Sequence, residues 1–209
     1  MEKPAETTYQ ISDLIKRRWS PRAFTQVPVA AGQLHSMFEA ARWAASSFNE
    51  QPWRFVVATQ QEEDKYQALL DCLNEGNREW AERAPVLILS VAKLTFERNG
   101  RPNRHAYHDV GQAFANMAIE ATHLGLAVHP MGGFDVDKAR EDLTIPDDYD
   151  PVAMIAVGHT GDFDGLTDEF KADELAPRTR NASKDFIYSG KFGEPMPFES
   201  RVKRALMGD

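Results

Sequence analysis

The 209 residues carry 24 Lys and Arg against 32 Asp and Glu, a net charge of −8, which argues against nucleic acid or an anionic membrane as general partner because both reward surplus Lys and Arg. A hydrophobic share of 42% at this length fits one folded domain with its own core, with or without appended arms. Cys72 stands alone and excludes an intramolecular disulfide, the first ten residues have no apolar core to act as a signal, and no apolar run reaches the length of a membrane span, so the expectation is a cytoplasmic protein.

In chain order, Ile11, Leu14 and Ile15 recur at helical spacing and predict a first helix running to about Arg18. Its end delivers a basic cluster, Lys16-Arg17-Arg18-Trp19-Ser20-Pro21-Arg22, into a Pro-containing loop. Leu34, Met37, Phe38 and Ala41 form the apolar stripe of a second helix over about 31–44. There follows Ala45-Ser46-Ser47-Phe48-Asn49-Glu50-Gln51-Pro52-Trp53, a short polar stretch that runs directly into an apolar one. Asn and Gln each offer donors and an acceptor, so Asn49 and Gln51 can read the edge of a planar heterocycle that alternates C=O and N–H groups. Pro52 keeps Gln51 out of the helical region, and the loop ends extended.

Residues 53–59 read as a buried strand, 62–73 as a helix, and Asn74-Glu75-Gly76-Asn77 as a polar turn. The continuous apolar run 85–91 is another buried strand. Residues 93–106 show neither period and carry Gly and Pro, which predicts a loop or lid. Val110, Phe114, Met117, Ala118, Ala121 and Leu124 give a helix over 109–124, where Gly111, Ala113 and Ala115 permit close helix contact in the core or at a subunit interface. A short strand over 126–130, a tight turn Pro130-Met131-Gly132-Gly133-Phe134, a helix to Leu143 capped by Asp135, and a last strand over 152–157 complete the pattern. Residues 161–209 are charged, broken by Pro and Gly, and poor in apolar residues; such an arm is expected to wrap something else, most simply a second copy of the chain. The irregular interleaving places the chain, as one domain over 1–209, in the α+β class, a central sheet flanked by helices.

Several chemistries lack the residues they need. His105 and His108 have no third ligand for a metal, Ser46-Ser47 has no glycine-flanked nucleophile elbow, and neither GxGxxG nor a Walker loop occurs. A phosphate would therefore be held by side chains, and Arg18, Arg22, Arg178 and Arg180 offer the guanidinium forks suited to it. Polar loop, arginine clusters and glycine turn together suggest a phosphorylated planar ligand.

On these residues the sequence resembles the nitroreductase family of FMN-dependent oxidoreductases, over about 9–181. The resemblance rests on Arg18-Trp19-Ser20-Pro21-Arg22-Ala23-Phe24, on residues 46–53, on the helix ending His123-Leu124-Gly125-Leu126, on Pro130-Met131-Gly132-Gly133-Phe134-Asp135, and on Val157-Gly158-His159. It implies a mostly antiparallel or mixed sheet, a homodimer, and FMN sites at the subunit interface. Arg18, Trp19, Ser20 and Arg22 would contact phosphate, ribityl chain and pyrimidine edge; Arg178 and Arg180 would close on the phosphate; Asn77 would stand beside the pyrimidine. Ala45, Ser46, Ser47, Asn49 and Gln51 would reach the flavin of the other subunit. Pro130, Met131, Gly132 and Gly133 would lie along the isoalloxazine, with a backbone N–H facing N5. The resemblance further implies NADH or NADPH as hydride donor and a nitroaromatic, quinone or related electrophile as acceptor, in ping-pong order; dehydrogenation, dehalogenation, flavin fragmentation or a non-catalytic flavin carrier are the alternatives. No side chain is required as acid or base. Phe48, Phe96, Tyr107 and His108 are candidates for the acceptor pocket. Three positions depart from some relatives: Ala45 replaces Pro, Gly132 an acidic residue, and Trp80 a Lys.

Overall fold

Strand β2 (Val86–Lys93) is buried along its whole length in the computed structural model, which describes residues 2–197. A strand buried on both faces needs cover on both, and the chain supplies helices on each side of a four-stranded sheet. The sheet order is β1 (Trp53–Thr59), β2, β4 (Tyr149–Gly158), β3 (Ala127–Met131), and every pair is antiparallel. Leu87, Leu89 and Val91 join Met154 and Ala156 in one core with α3 (Glu63–Leu70), α4 (Glu75–Ala81) and α6 (Val136–Asp142). Val86, Ile88 and Ala92 join Ile155 and Val157 in a second core with α2 (Ala31–Arg42) and α5 (Ala106–His123). The strand period of two thus sorts one apolar run into two cores. A register shift at Ser90/Val91 is accompanied by a bond from Ser90 Oγ to Ala153 O, 3.0 Å.

Two short helices, α1 (Asp13–Arg17) and α7 (Asp168–Leu175), complete the first of two units, residues 1–176. The second unit begins at Pro177 and carries a 3-10 turn, Ser183–Asp185, and a bridge between Tyr188 and Pro195, with the Tyr188 and Phe192 rings 4.7 Å apart. Residues 198–209, the end of the predicted arm, lie outside the described residues.

Several sequence expectations need correction. The stretch 74–77 is the start of α4 rather than a turn: Asn74 Oδ1 accepts the Asn77 N–H at 3.0 Å, and Gly76 in the first turn masks the helix to propensity reading. The helix assigned to 62–73 ends at Leu70, and the one assigned to 109–124 starts earlier, at Ala106. Within 93–106 the chain folds into a small hairpin, with Thr95 bridged to Pro102 and the Phe96 N–H on Arg101 O at 2.8 Å. The tail read as irregular from 161 holds α7, capped where Thr167 Oγ1 accepts the Phe170 N–H at 3.3 Å. Its one buried residue is the polar Glu174, so no apolar stripe announces it.

Gly158 explains how the first motif reaches the sheet. A Cβ there would meet Pro85 Cδ at 2.6 Å, Pro85 Cγ at 3.0 Å and Phe24 Cδ1 at 3.1 Å. Residues 23–25 then pair with 159–161 through Thr25 N–H to His159 O and Gly161 N–H to Ala23 O, both 2.9 Å. A proline ring cannot swing aside, so Gly158→Ala is expected to lower the urea midpoint by the equivalent of about 1–3 kcal/mol. An unchanged midpoint would mean that the strand end gives way freely.

Candidate functional site

The predicted residues fall into two groups at opposite edges of the sheet. One group gathers at β3. Arg18 Nη1 donates to Ser20 Oγ at 3.2 Å, and Arg18 and Trp19 line a cleft of about 440 Å3 with Arg17, Gly125, His159 and Thr160. His129 of β3 bonds the carbonyl of Pro21 through Nδ1 at 2.9 Å, so that nitrogen carries the proton. Its ring lies 4.5 Å from that of Trp80, which stacks in turn on Phe24 at 6.3 Å. Burial pushes His129 down to about 4; the Pro21 carbonyl opposes the shift, and the charges of Arg22 and Arg18 add to it. The ring is therefore neutral at pH 7, a fixed support beneath the basic loop.

Arg22 is held from the other side by α7. Its backbone N–H and its Nη1 approach Glu174 Oε1 at 3.3 and 3.5 Å, Nη1 also meets Asp173 Oδ2 at 3.3 Å, and the guanidinium stands 5.1 Å over the Phe170 ring. Glu174 is 2% exposed and its Oε2 has no hydrogen-bond partner, so burial raises its pKa against the pull of Arg22 and Lys3.

The glycine turn at the end of β3 is clamped by α4. Asn77 Nδ2 donates to Gly133 O at 3.0 Å and the Asn74 N–H donates to the same oxygen at 3.2 Å. A Cβ on Gly133 would come within 2.4 Å of Asn74 Nδ2 and 2.7 Å of Asn77 Nδ2, whereas one on Gly132 would meet nothing within 4 Å. Gly133 faces the protein and Gly132 faces open space. Met131 is buried and Pro130 half-buried behind them.

The second group precedes β1. Phe48, Asn49 and Gln51 all have positive φ, 56°, 57° and 52°, so the loop does not end extended at Gln51 as Pro52 led us to expect; left-handed non-glycine residues cost on the order of 1–3 kcal/mol each. Asp109 of α5 is 2% exposed and takes the Ser47 N–H on Oδ2 at 2.9 Å, while Ser46 Oγ takes the Gln51 N–H at 3.0 Å. Gln51 Nε2 donates to Asn49 O at 3.0 Å, and Ala45 is exposed.

Of the acceptor candidates, Phe48 and Phe96 meet edge to face, 5.8 Å apart at 85°. His108 stands over Asp109, Nδ1 to Oδ1 3.0 Å, and Tyr107 instead donates to Asp150 Oδ2 at 2.9 Å, beside the Arg140–Asp150 pair. Arg178 and Arg180 belong to the second unit, where Arg180 Nη1 donates to Thr179 O at 2.6 Å. The residues that sequence reading missed are the holders: Asn74, Asp109, His129, Asp173 and Glu174. Only Asn74, an Asn directly before a Glu-rich stretch, had a usable cap signal.

With β2 and β4 between them, the edge strands β1 and β3 that the two groups flank are three strand spacings apart, roughly 14 Å. The sequence profile of the Nitroreductase family matches residues 15–76 and 72–159.

The chain belongs to the nitroreductase family.

Its relatives include an uncharacterised 15.4 kDa protein of Mycolicibacterium smegmatis, 34% identical over 134 residues that make up 64% of this chain and 88% of that one. A putative NADH dehydrogenase/NAD(P)H nitroreductase of Streptomyces coelicolor is 29% identical over 157 residues, 66% of this chain and 76% of the relative. Among solved structures, the crystal structure of an oxidoreductase containing FMN matches with a TM-score of 0.85 and 34% identity, over 91% of this chain and 96% of that one. Among the described residues, no helix is long and apolar enough to cross a membrane.

Two stability measurements probe the holders. The unfolded His129 takes up a proton near pH 6.5 and the folded one only near 4. Stability should therefore fall by about 1.4 kcal/mol per pH unit from pH 6.5 to 4, up to roughly 3 kcal/mol, and His129→Phe should flatten that slope in urea titrations. Asp109→Ala leaves the Ser47 N–H without its acceptor and should lower stability by about 1–3 kcal/mol while raising protease cleavage within 45–52.

Proposed function

We propose that this chain is a homodimeric, FMN-dependent NAD(P)H oxidoreductase of nitroreductase type. The observation that carries the reading is the split of the polar loop and the basic, glycine-turned cradle onto opposite sheet edges. A loop beside the sheet edge opposite its own chain's cradle serves best the cradle of a second copy.

The donor set fits a flavin phosphate. Arg18 borders the cleft with a charged fork, suited to phosphate oxygens and steadied by its bond to the Ser20 hydroxyl. Asn77 and the turn at 130–133 present amide and backbone groups suited to a planar heterocycle, and Gly132 has open space before it where a ring can approach the main chain. FMN, when bound, supplies reversible hydride acceptance between NADH or NADPH and a nitroaromatic, quinone or related electrophile.

The chain's own residues bind, orient and exclude water. His129 and Trp80 hold the Arg18–Arg22 loop from below, and Asp173 and Glu174 fix the Arg22 side chain in place. Ser46, Ser47, Asn49 and Gln51 enter from the partner on a loop whose backbone is already set in shape at Phe48, Asn49 and Gln51, which lowers the ordering cost of binding. Phe48 and Phe96 wall the mouth through which donor and acceptor enter in turn. No side chain need act as acid or base.

Protein purified with excess FMN should be yellow and dimeric, bleach on anaerobic addition of NADH or NADPH, and recover its colour with a quinone or nitroaromatic. Gly132→Leu should keep the fold and weaken FMN affinity at least about tenfold by fluorescence quenching, because only the open side of the turn is filled. A colourless monomer would overturn the reading; a dimer that holds FMN but turns over no acceptor would leave flavin binding and remove the reductase activity.

A further inference from the structure

The hairpin over 94–103 concentrates positive charge in an acidic protein. Residues 93–104 hold Lys93, Arg98, Arg101 and Arg104 against Glu97 alone, a local charge of +3 in a chain whose total is −8. Lys93 is paired with Glu97, and Glu50 Oε1 accepts the Glu97 N–H at 2.6 Å, so both nearby carboxylates are engaged. Arg98, Arg101 and Arg104 are exposed, and among the described residues none forms an ion pair.

Arg98 is also placed. Its guanidinium carbon lies 4.0 Å from the centroid of Phe48 and 5.4 Å from that of Phe96. Stacking on an aromatic face fixes the guanidinium plane and leaves its N–H edges free for oxygen ligands. Phe48 is 71% exposed, and the left-handed backbone that presents it is held from below by Asp109. An exposed aromatic ring beside unpaired guanidiniums fits a ligand that joins a flat base to a phosphate.

We propose that Arg98, Arg101 and Arg104 bind the 2′-phosphate of the hydride donor, with Phe48 against the adenine, so that this chain selects NADPH over NADH. The inference rests on the flavin reading, which puts residues 46–51 and the adjoining hairpin at the mouth of the site. A phosphate monoester is close to a dianion at pH 7 and matches a guanidinium fork bidentately. The two donors differ only in that group, so unpaired arginines here bear directly on the choice.

Two measurements on the FMN-loaded protein test it. In steady-state oxidation, kcat/KM for NADPH should exceed that for NADH by about tenfold or more; in calorimetric titration, 2′,5′-ADP should bind at least about tenfold more tightly than 5′-AMP. Arg98→Ala combined with Arg101→Ala should shrink both ratios to within about threefold while FMN affinity and the dimer persist, and raised salt should shrink them in the parent protein. Equal use of the two donors, or equal binding of the two nucleotides, overturns the proposal. So does a double variant that keeps both ratios and loses only turnover of a sulfonated quinone, which would assign the patch to an anionic acceptor. Protein that takes up no FMN yet prefers 2′,5′-ADP would retain this inference and overturn the flavin reading, so the two fail separately.

Discussion

Burial of β2 on both faces is the constraint from which the rest follows. With Leu87, Leu89 and Val91 committed to one core and Val86, Ile88 and Ala92 to the other, neither face of the sheet centre can hold polar chemistry. Polar residues are therefore driven to the edge strands and their flanking loops. Each edge is supported by its own helices: α4 and α7 hold the turn and basic loop beside β3, and α5 holds the loop before β1 through Asp109.

The two edges are prepared in different ways. At β3 the shape comes from packing and amide bonds: a neutral imidazole, an indole, the Asn77 side chain and the Asn74 backbone N–H fix loops whose own backbone is ordinary. At β1 the loop itself is strained at three non-glycine residues and is kept in place by a buried carboxylate and a serine hydroxyl.

Much of this was legible in the sequence where periodicity or composition carries the signal. The continuous runs that form β1 and β2, the stripe of α5, the Asp135 cap of α6 and the motifs that carry the family likeness all read directly. What did not read were elements whose stabilisation is polar and distant. The helix α7 buries a single Glu, whose partner Arg22 lies 152 positions away, and α4 begins on Asn74 and passes through Gly76, which propensity counts against it. His129 looks in sequence like any strand histidine; only the fold puts Pro21 and Trp80 around it. The candidate residues could be proposed from sequence because their chemistry shows in their type, while the residues that hold them depend on contacts that no local pattern encodes.

Gly132 gives this chain a position that can be varied freely. Because a side chain there would meet no neighbouring protein atom within 4 Å, residues of different charge and size can be exchanged at that position without repacking the core. Gly133, one residue on, has no such freedom. Adjacent glycines thus divide the turn between them: Gly133 is confined by the amides of Asn74 and Asn77, and Gly132 leaves the open side to whatever side chain stands there.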